Sequence, residues 1–159
     1  MTCRTAPDRC RVRRSAALGA NIPILWTAFA VLIVAVICDF RSREIPDSLS
    51  MLLLALAVAG AALRWRPVSW SGLLLGLAVG FIAGLLLFRL GGLGGGDVKL
   101  ISALGALLGF PDALSFLVYV AIAGGLLAIV AHLRRERDFP YAPAIALGLL
   151  TFIVRGYYL

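Results

Sequence analysis

Long apolar runs separated by short polar connections dominate this chain of 159 residues. Because a helix that spans the bilayer needs roughly 20 apolar residues, the alternation predicts six transmembrane helices. The predicted segments are 17–38, 49–63, 70–90, 98–110, 113–133 and 142–158. The pattern therefore predicts an all-α, polytopic integral membrane protein, with a basic N-terminal tail over residues 1–16 and a six-helix domain over residues 17–159.

The fourth segment is unusually short for a spanning helix. About 13 residues at about 1.5 Å each fall well short of the roughly 30 Å apolar core of a bilayer. We therefore expect this helix to start inside the bilayer, after a glycine loop that dips below the surface and lines a wet cavity. Asp97 would then be slightly buried and still reachable by water.

Small residues recur along one face of two neighbouring segments. The glycines that repeat every four residues are Gly72, Gly76, Gly80 and Gly84 in the third segment, with Gly105 and Gly109 in the fourth. Such faces let helix backbones approach closely in a membrane. The spacing predicts tight packing between these segments.

Composition supports the membrane interpretation and excludes several other classes of protein. Hydrophobic residues make up 62% of the chain and charged residues 14%, with a mean hydropathy of +0.99, far from the usual range of soluble domains. The net charge of +7 comes from short basic clusters between apolar runs, which favours anionic lipid headgroups over nucleic acid as partners. Cys3 and Cys10 have no further ligands nearby, and Cys38 is expected to pack as a small apolar residue, so no metal or other cofactor is predicted.

Two carboxylates at the ends of apolar runs carry the candidate chemistry. Asp39 ends the first run, and Asp97 follows Gly94, Gly95 and Gly96 at the start of the fourth. A charge at membrane depth is costly and is usually functional. Both positions fall on the same side of the predicted bundle, so the side chains are expected to meet. Paired carboxylates that share one proton are the apparatus of an aspartyl protease.

Further polar and proline residues flank the two aspartates and are candidates for shaping the site. Glu44 and Asp47 are expected either to attract a basic substrate segment or to be solvated loop charges. Lys99, two residues after Asp97, faces another side of its helix and is expected to meet a lipid headgroup or a substrate carboxylate. Pro140 and Pro143 are expected either to shape a substrate entrance or to start the sixth helix.

Three motifs together resemble those of the type IV prepilin peptidases. They are Asp39 with Arg41, Arg43 and Ile45-Pro46-Asp47; Gly94 to Leu100 (GGGDVKL) running into Ala103-Leu104-Gly105-Ala106; and Pro140-Tyr141-Ala142-Pro143-Ala144-Ile145. The resemblance looks closest to the short, six-helix form associated with tight-adherence and Flp-type pili. It implies that Asp39 and Asp97 are catalytic. It also implies cleavage of a short basic leader from prepilins or pseudopilins, at the cytoplasmic face of a bacterial or archaeal cytoplasmic membrane.

The resemblance sets further expectations and conflicts with one feature of the chain. Longer members of the family carry a domain with paired CxxC motifs and methylate the new N-terminus; none of these motifs is present here, so peptidase activity without methyltransferase activity is expected. A cytoplasmic site and six helices require an outside N-terminus, whereas five arginines lie among the first fourteen residues and favour the cytoplasm. Charge counting alone leaves the topology open.

Two other functions fit a six-helix membrane protein with intramembrane carboxylates. One is a small transporter or channel subunit, and the other is a noncatalytic assembly factor of a pilus apparatus. Transport carboxylates usually lie near the middle of the membrane, whereas both aspartates here lie at segment ends. Their position therefore favours the peptidase.

Overall fold

The structure, a computed structural model, describes residues 7–42, 46–63, 68–89, 93–133 and 141–158. All regular structure in these ranges is helical, which confirms the predicted fold class. The helices are α1 (Pro7–Ser42), α2 (Asp47–Ala62), α3 (Trp70–Arg89), α4 (Gly95–Leu108), α5 (Asp112–Leu133) and α6 (Ala142–Tyr158).

The first helix is longer than the apolar pattern predicted. It has 36 residues and begins at Pro7, whereas hydropathy placed its start at residue 17. Proline is well suited to the first position of a helix, because its fixed φ is helical and its missing N–H has no intrahelical role there. The arginines that follow are good helix formers. Hydropathy therefore located the apolar part of α1 and missed its polar extension.

Three of the described helices are long and apolar enough to cross a membrane: Ile24–Arg41 within α1, Trp70–Arg89 and Asp112–Val130. The apolar helices α2 and α6 are shorter. Large apolar side chains cover the outward faces of the long helices, including Leu74 of α3 and Ile122 and Leu126 of α5, each more than half exposed. Such faces suit a lipid environment, in which exposed apolar surface carries no penalty.

Glycines bring α3 and α4 into backbone contact, as their spacing predicted. A Cβ added at Gly76 would collide with the carbonyl oxygen of Gly105, and one added at Gly105 would collide with that of Gly76. A Cβ at Gly80 would lie 2.8 Å from the carbonyl oxygen of Ile101, closer than real Cβ atoms come. The two helices can therefore pack at this distance only because the contact positions lack side chains.

The six helices form two groups. Helices α2, α3 and α4, the first group, make their most extensive contacts with one another, as do α1, α5 and α6, the second group. Helix α4 lies at the centre, and its apolar residues Leu100, Ile101 and Leu104 are fully buried. Phe116 of α5 and Ile145 of α6 belong to the same core. The helix that carries Asp97 is thus surrounded by helices of its own group and of the second group.

Candidate active site

The structure brings Asp39 and Asp97 together at one end of the bundle. Asp39 lies in the last turn of α1 and Asp97 in the first turn of α4. The two carboxyl groups are close enough for their charges to act directly on each other. Because α1 belongs to the second group and α4 to the first, the pair forms across the boundary between them.

Each aspartate has one buried oxygen without a hydrogen-bond partner. Asp97 is 5% exposed; its Oδ2 accepts a hydrogen bond from the Gly94 N–H at 3.3 Å, and its Oδ1 has no partner. Asp39 is partly exposed, and its Oδ2 is buried and also unpartnered. A buried polar atom without a partner is expensive, and such atoms in native structures call for an explanation. Two of them on one interacting pair suit a site built for reaction.

Two of the three glycines before Asp97 belong to the helix that follows them, where a glycine loop is predicted from the sequence. Gly94 precedes α4, Gly95 and Gly96 are its first two residues, and Asp97 is the third. The first N–H groups of a helix have no intrahelical acceptor and favour negative charge. A Cβ at Gly95 would meet nothing within 4 Å. The start of α4 therefore offers donors and open space beside the carboxyl pair.

Lys99 and Asp47 form an ion pair at the same end of the bundle as the two aspartates. The Lys99 Nζ lies 2.7 Å from both carboxylate oxygens of Asp47, and joins the first residue of α2 to the early part of α4. Both side chains are more than half exposed, so solvent weakens the attraction. This pairing is not visible in the sequence, because helix spacing shows that Lys99 faces away from Asp97 without showing which neighbour it faces.

Tyr141 is a neighbour of the site that sequence reasoning missed. It precedes α6, is half-buried, and lies close enough to Asp97 for the carboxylate charge to act on its phenol. Burial, and after it the charge of Asp97, raise the pKa of Tyr141 above its usual 10.0, so the phenol stays protonated and able to donate a hydrogen bond. Its hydroxyl packs against Gly124 of α5, where a Cβ would collide with it. The available signal in the sequence was the place of Tyr141 in the third motif, between Pro140 and Ala142.

The remaining predicted residues are placed only in part. Pro143 is the second residue of α6, a position that proline tolerates because the first turn lacks intrahelical N–H bonds. This location agrees with its expected alternative role in starting the sixth helix. Glu44 and Pro140 lie outside the described residues.

Comparison with known proteins bears on the family of this chain. The sequence profile of the type IV leader peptidase family matches residues 26–129, a stretch that includes both aspartates. The chain belongs to this family. No solved structure matches the chain closely enough to be compared with it.

Curated relatives of this peptidase family cover most of the chain. It is 33% identical over 134 residues to the prepilin leader peptidase/N-methyltransferase of Bacillus subtilis, an alignment that covers 80% of this chain and 53% of the relative. It is 32% identical over 145 residues to the type 4 prepilin-like proteins leader peptide-processing enzyme of Escherichia coli O78:H11, covering 86% and 51% respectively. The prepilin leader peptidase/N-methyltransferase of Burkholderia pseudomallei is 30% identical over 155 residues, an alignment that covers 82% of this chain and 45% of the relative. The chain thus spans about half the length of these relatives.

Proposed function

We propose that this protein is a membrane aspartic endopeptidase that removes the short basic leader from prepilins or pseudopilins. The observation that carries the proposal is the meeting of Asp39 and Asp97, each with a buried, unpartnered oxygen, at one end of the bundle. Membership of the type IV leader peptidase family supports the reaction class. The names of the curated relatives support the substrate class.

In the proposed reaction the two carboxyl groups share one proton. The ionised group takes a proton from a water molecule, whose oxygen adds to the carbonyl carbon of the scissile peptide bond, while the neutral group protonates the carbonyl oxygen. Proton transfer to the leaving nitrogen then allows the carbon–nitrogen bond to break. Since the groups titrate as a pair, acid and base are roles of the pair and not fixed properties of either residue.

Replacement of each aspartate by asparagine tests the pair. Asp39→Asn and Asp97→Asn should each abolish conversion of prepilin to mature pilin in reconstituted vesicles, because each removes half of the proton-sharing pair. Asp112→Asn is the matched control: Asp112 also lies in the first turn of a helix, α5, but at the opposite end of the bundle, and its replacement should leave processing unchanged. Near wild-type processing by either dyad variant would refute the proposal.

We further propose that the carboxyl pair faces the cytoplasm of a bacterial or archaeal cell, in its cytoplasmic membrane. Ser48 lies at the start of α2, at the same end of the bundle as the pair, and Ser69 precedes α3 at the other end; both are exposed. In a cysteine-free background, Ser69→Cys should react with an impermeant maleimide in intact cells, and Ser48→Cys should react only after lysis. The reverse pattern would place the pair outside and exclude cytoplasmic cleavage.

We propose Flp-like prepilins as the substrates and cleavage without methylation as the outcome. The motif resemblance to the short form of the family supports the first point. The second rests on cysteine positions, because Cys3, Cys10 and Cys38 form no CxxC pair. Mass spectrometry of an Flp-like pilin processed in vesicles by this chain alone should show a free, unmethylated N-terminus. A methylated product would refute the second point, and cleavage only of other prepilin classes would refute the first.

A further inference from the structure

Arg155 is a charged residue on the outward face of α6. It lies in the last turn of that helix and is exposed. Leu147 and Thr151, eight and four residues earlier and therefore on the same face, are exposed as well, and so is the adjacent Val154. Ile153, on the opposite face of the helix, is buried. The Arg155 side chain therefore leaves the bundle on the side that meets lipid.

The guanidinium of Arg155 is held by Tyr119 of α5. Its Nη1 donates a hydrogen bond to the phenol oxygen, and its central carbon lies 5.9 Å from the centre of the ring, within the range of a cation–π interaction. Within the described ranges no carboxylate forms an ion pair with Arg155. The phenol oxygen accepts from one of the five N–H donors of a guanidinium and, being neutral, leaves its charge uncompensated.

Counts along two helices place this contact about 10 Å inside the membrane edge that is far from the carboxyl pair. Arg155 follows the start of α6, at the end of the bundle where the pair lies, by 13 residues, or about 20 Å of a core of about 30 Å. Tyr119 follows the start of α5, at the far end, by seven residues, or about 10 Å. Trp26, 13 residues before Asp39 on α1 and hence at the same depth, is 46% exposed, and exposed tryptophan favours the membrane interface.

A lipid headgroup can supply what this arginine lacks. A charge at such depth is costly, and a long basic side chain lowers the cost by extending toward the headgroups. The planar guanidinium fits phosphate oxygens through two parallel hydrogen bonds. A headgroup such as phosphatidylglycerol carries no ammonium, so its phosphate also neutralises the arginine. We propose that Arg155, held by Tyr119, binds the phosphate of an anionic phospholipid in the leaflet opposite the carboxyl pair.

Thermal unfolding of the full chain in detergent, with phosphatidylglycerol added in steps, tests this site. A lipid that binds the folded state raises Tm, and the half-saturating lipid concentration measures its affinity. Arg155→Gln should weaken binding about tenfold, the effect of losing charge-assisted hydrogen bonds. Arg89→Gln is the matched control, because Arg89 is an exposed arginine in the last turn of α3, at the other end of the bundle. It removes the same charge and should leave the half-saturating concentration unchanged.

A second variant and two other additives define the chemistry of the contact. Arg155→Lys keeps the charge without the planar fork, so it should bind phosphatidylglycerol less tightly than the wild type and more tightly than Arg155→Gln. Phosphatidylcholine, whose phosphate is neutralised by its own ammonium, should raise the Tm of the wild type less than phosphatidylglycerol does. Inorganic phosphate at the same concentrations should not raise it.

Four results would overturn the inference. Unchanged binding by Arg155→Gln would remove the site, and equal weakening by Arg155→Gln and Arg89→Gln would show attraction by net charge alone. An equal rise in Tm with phosphatidylcholine or with inorganic phosphate would refute an anionic lipid as the ligand. Wild-type affinity in Arg155→Lys would refute the bidentate contact, and this comparison remains decisive if the glutamine variant does not fold. None of these results bears on the proposed peptidase function.

Discussion

Substitution of Gly80 by alanine tests whether α3 and α4 depend on direct backbone contact. The added Cβ would lie 2.8 Å from the carbonyl oxygen of Ile101 and 3.1 Å from the Cα of Ser102. The first distance is about 0.6 Å short of the 3.4 Å at which ordinary van der Waals contact begins. Both neighbouring atoms are main chain, so no rotamer change relieves the collision, and the helices must separate.

Two opposing contributions set the change in the free energy of unfolding that Gly80→Ala causes. Overpacking costs about 1–3 kcal/mol, and we expect the upper end because helix backbones must move. Alanine is better than glycine in a helix by about 1 kcal/mol, which leaves a net loss of about 2 kcal/mol. At Gly125, in the middle of α5, a Cβ meets nothing within 4 Å, so only the favourable term remains. The two variants should therefore differ by about 3 kcal/mol.

Thermal unfolding in detergent, followed by tryptophan fluorescence, measures this difference. For a protein of this size about 3 kcal/mol corresponds to roughly 6–12 °C in Tm. Gly84→Ala should be intermediate, because the atoms nearest to its Cβ, the Cα and Cγ1 of Val98, would lie 3.2 Å away. Equal Tm values for Gly80→Ala and Gly125→Ala would refute the backbone-contact argument.

Two further predictions concern the packing of Tyr141 against Gly124 and the ion pair between Asp47 and Lys99. Gly124→Ala should displace the side chain of Tyr141, whose hydroxyl occupies the space of the new Cβ, and should reduce prepilin cleavage, whereas Gly125→Ala should not; equal cleavage rates for the two variants would contradict a role for the tyrosine. Asp47→Asn and Lys99→Gln should each lower stability by less than about 1 kcal/mol, since their pair is exposed, and should lower cleavage only modestly. The double variant should lose no more than either single one, and complete loss of cleavage in any of the three would show that the pair does more than join two helices.

The apolar pattern predicted the six helices because burial in lipid demands long apolar runs, and this demand is visible in sequence. It failed at the start of α1, where a charged helical extension has the same hydropathy as an unstructured tail. It also failed at α4, because glycines before Asp97 suggest a loop. In the structure the first turn of α4 already begins at Gly95.

The carboxyl pair was predictable because both aspartates end apolar runs on the same side. The partner of Lys99 and the proximity of Tyr141 to Asp97 were not predictable. The partner of Lys99 depends on how α2 is rotated against α4. Tyr141 stands in the third motif, but the motif does not show that its side chain lies near Asp97. Each of these contacts depends on three-dimensional packing between helices that are distant in sequence.

Asp39 and Asp97 belong to different helix groups, so movement of one group against the other can impair the proposed peptidase activity. A rigid shift of α1, α5 and α6 against α2, α3 and α4 changes the distance between Asp39 and Asp97 without breaking a helix. Displacements of about 1 Å are enough to impair positioned chemistry. The proposed peptidase activity and conformational stability are therefore separable in this fold, so that a well-folded preparation in an unsuitable lipid or detergent is expected to be inactive.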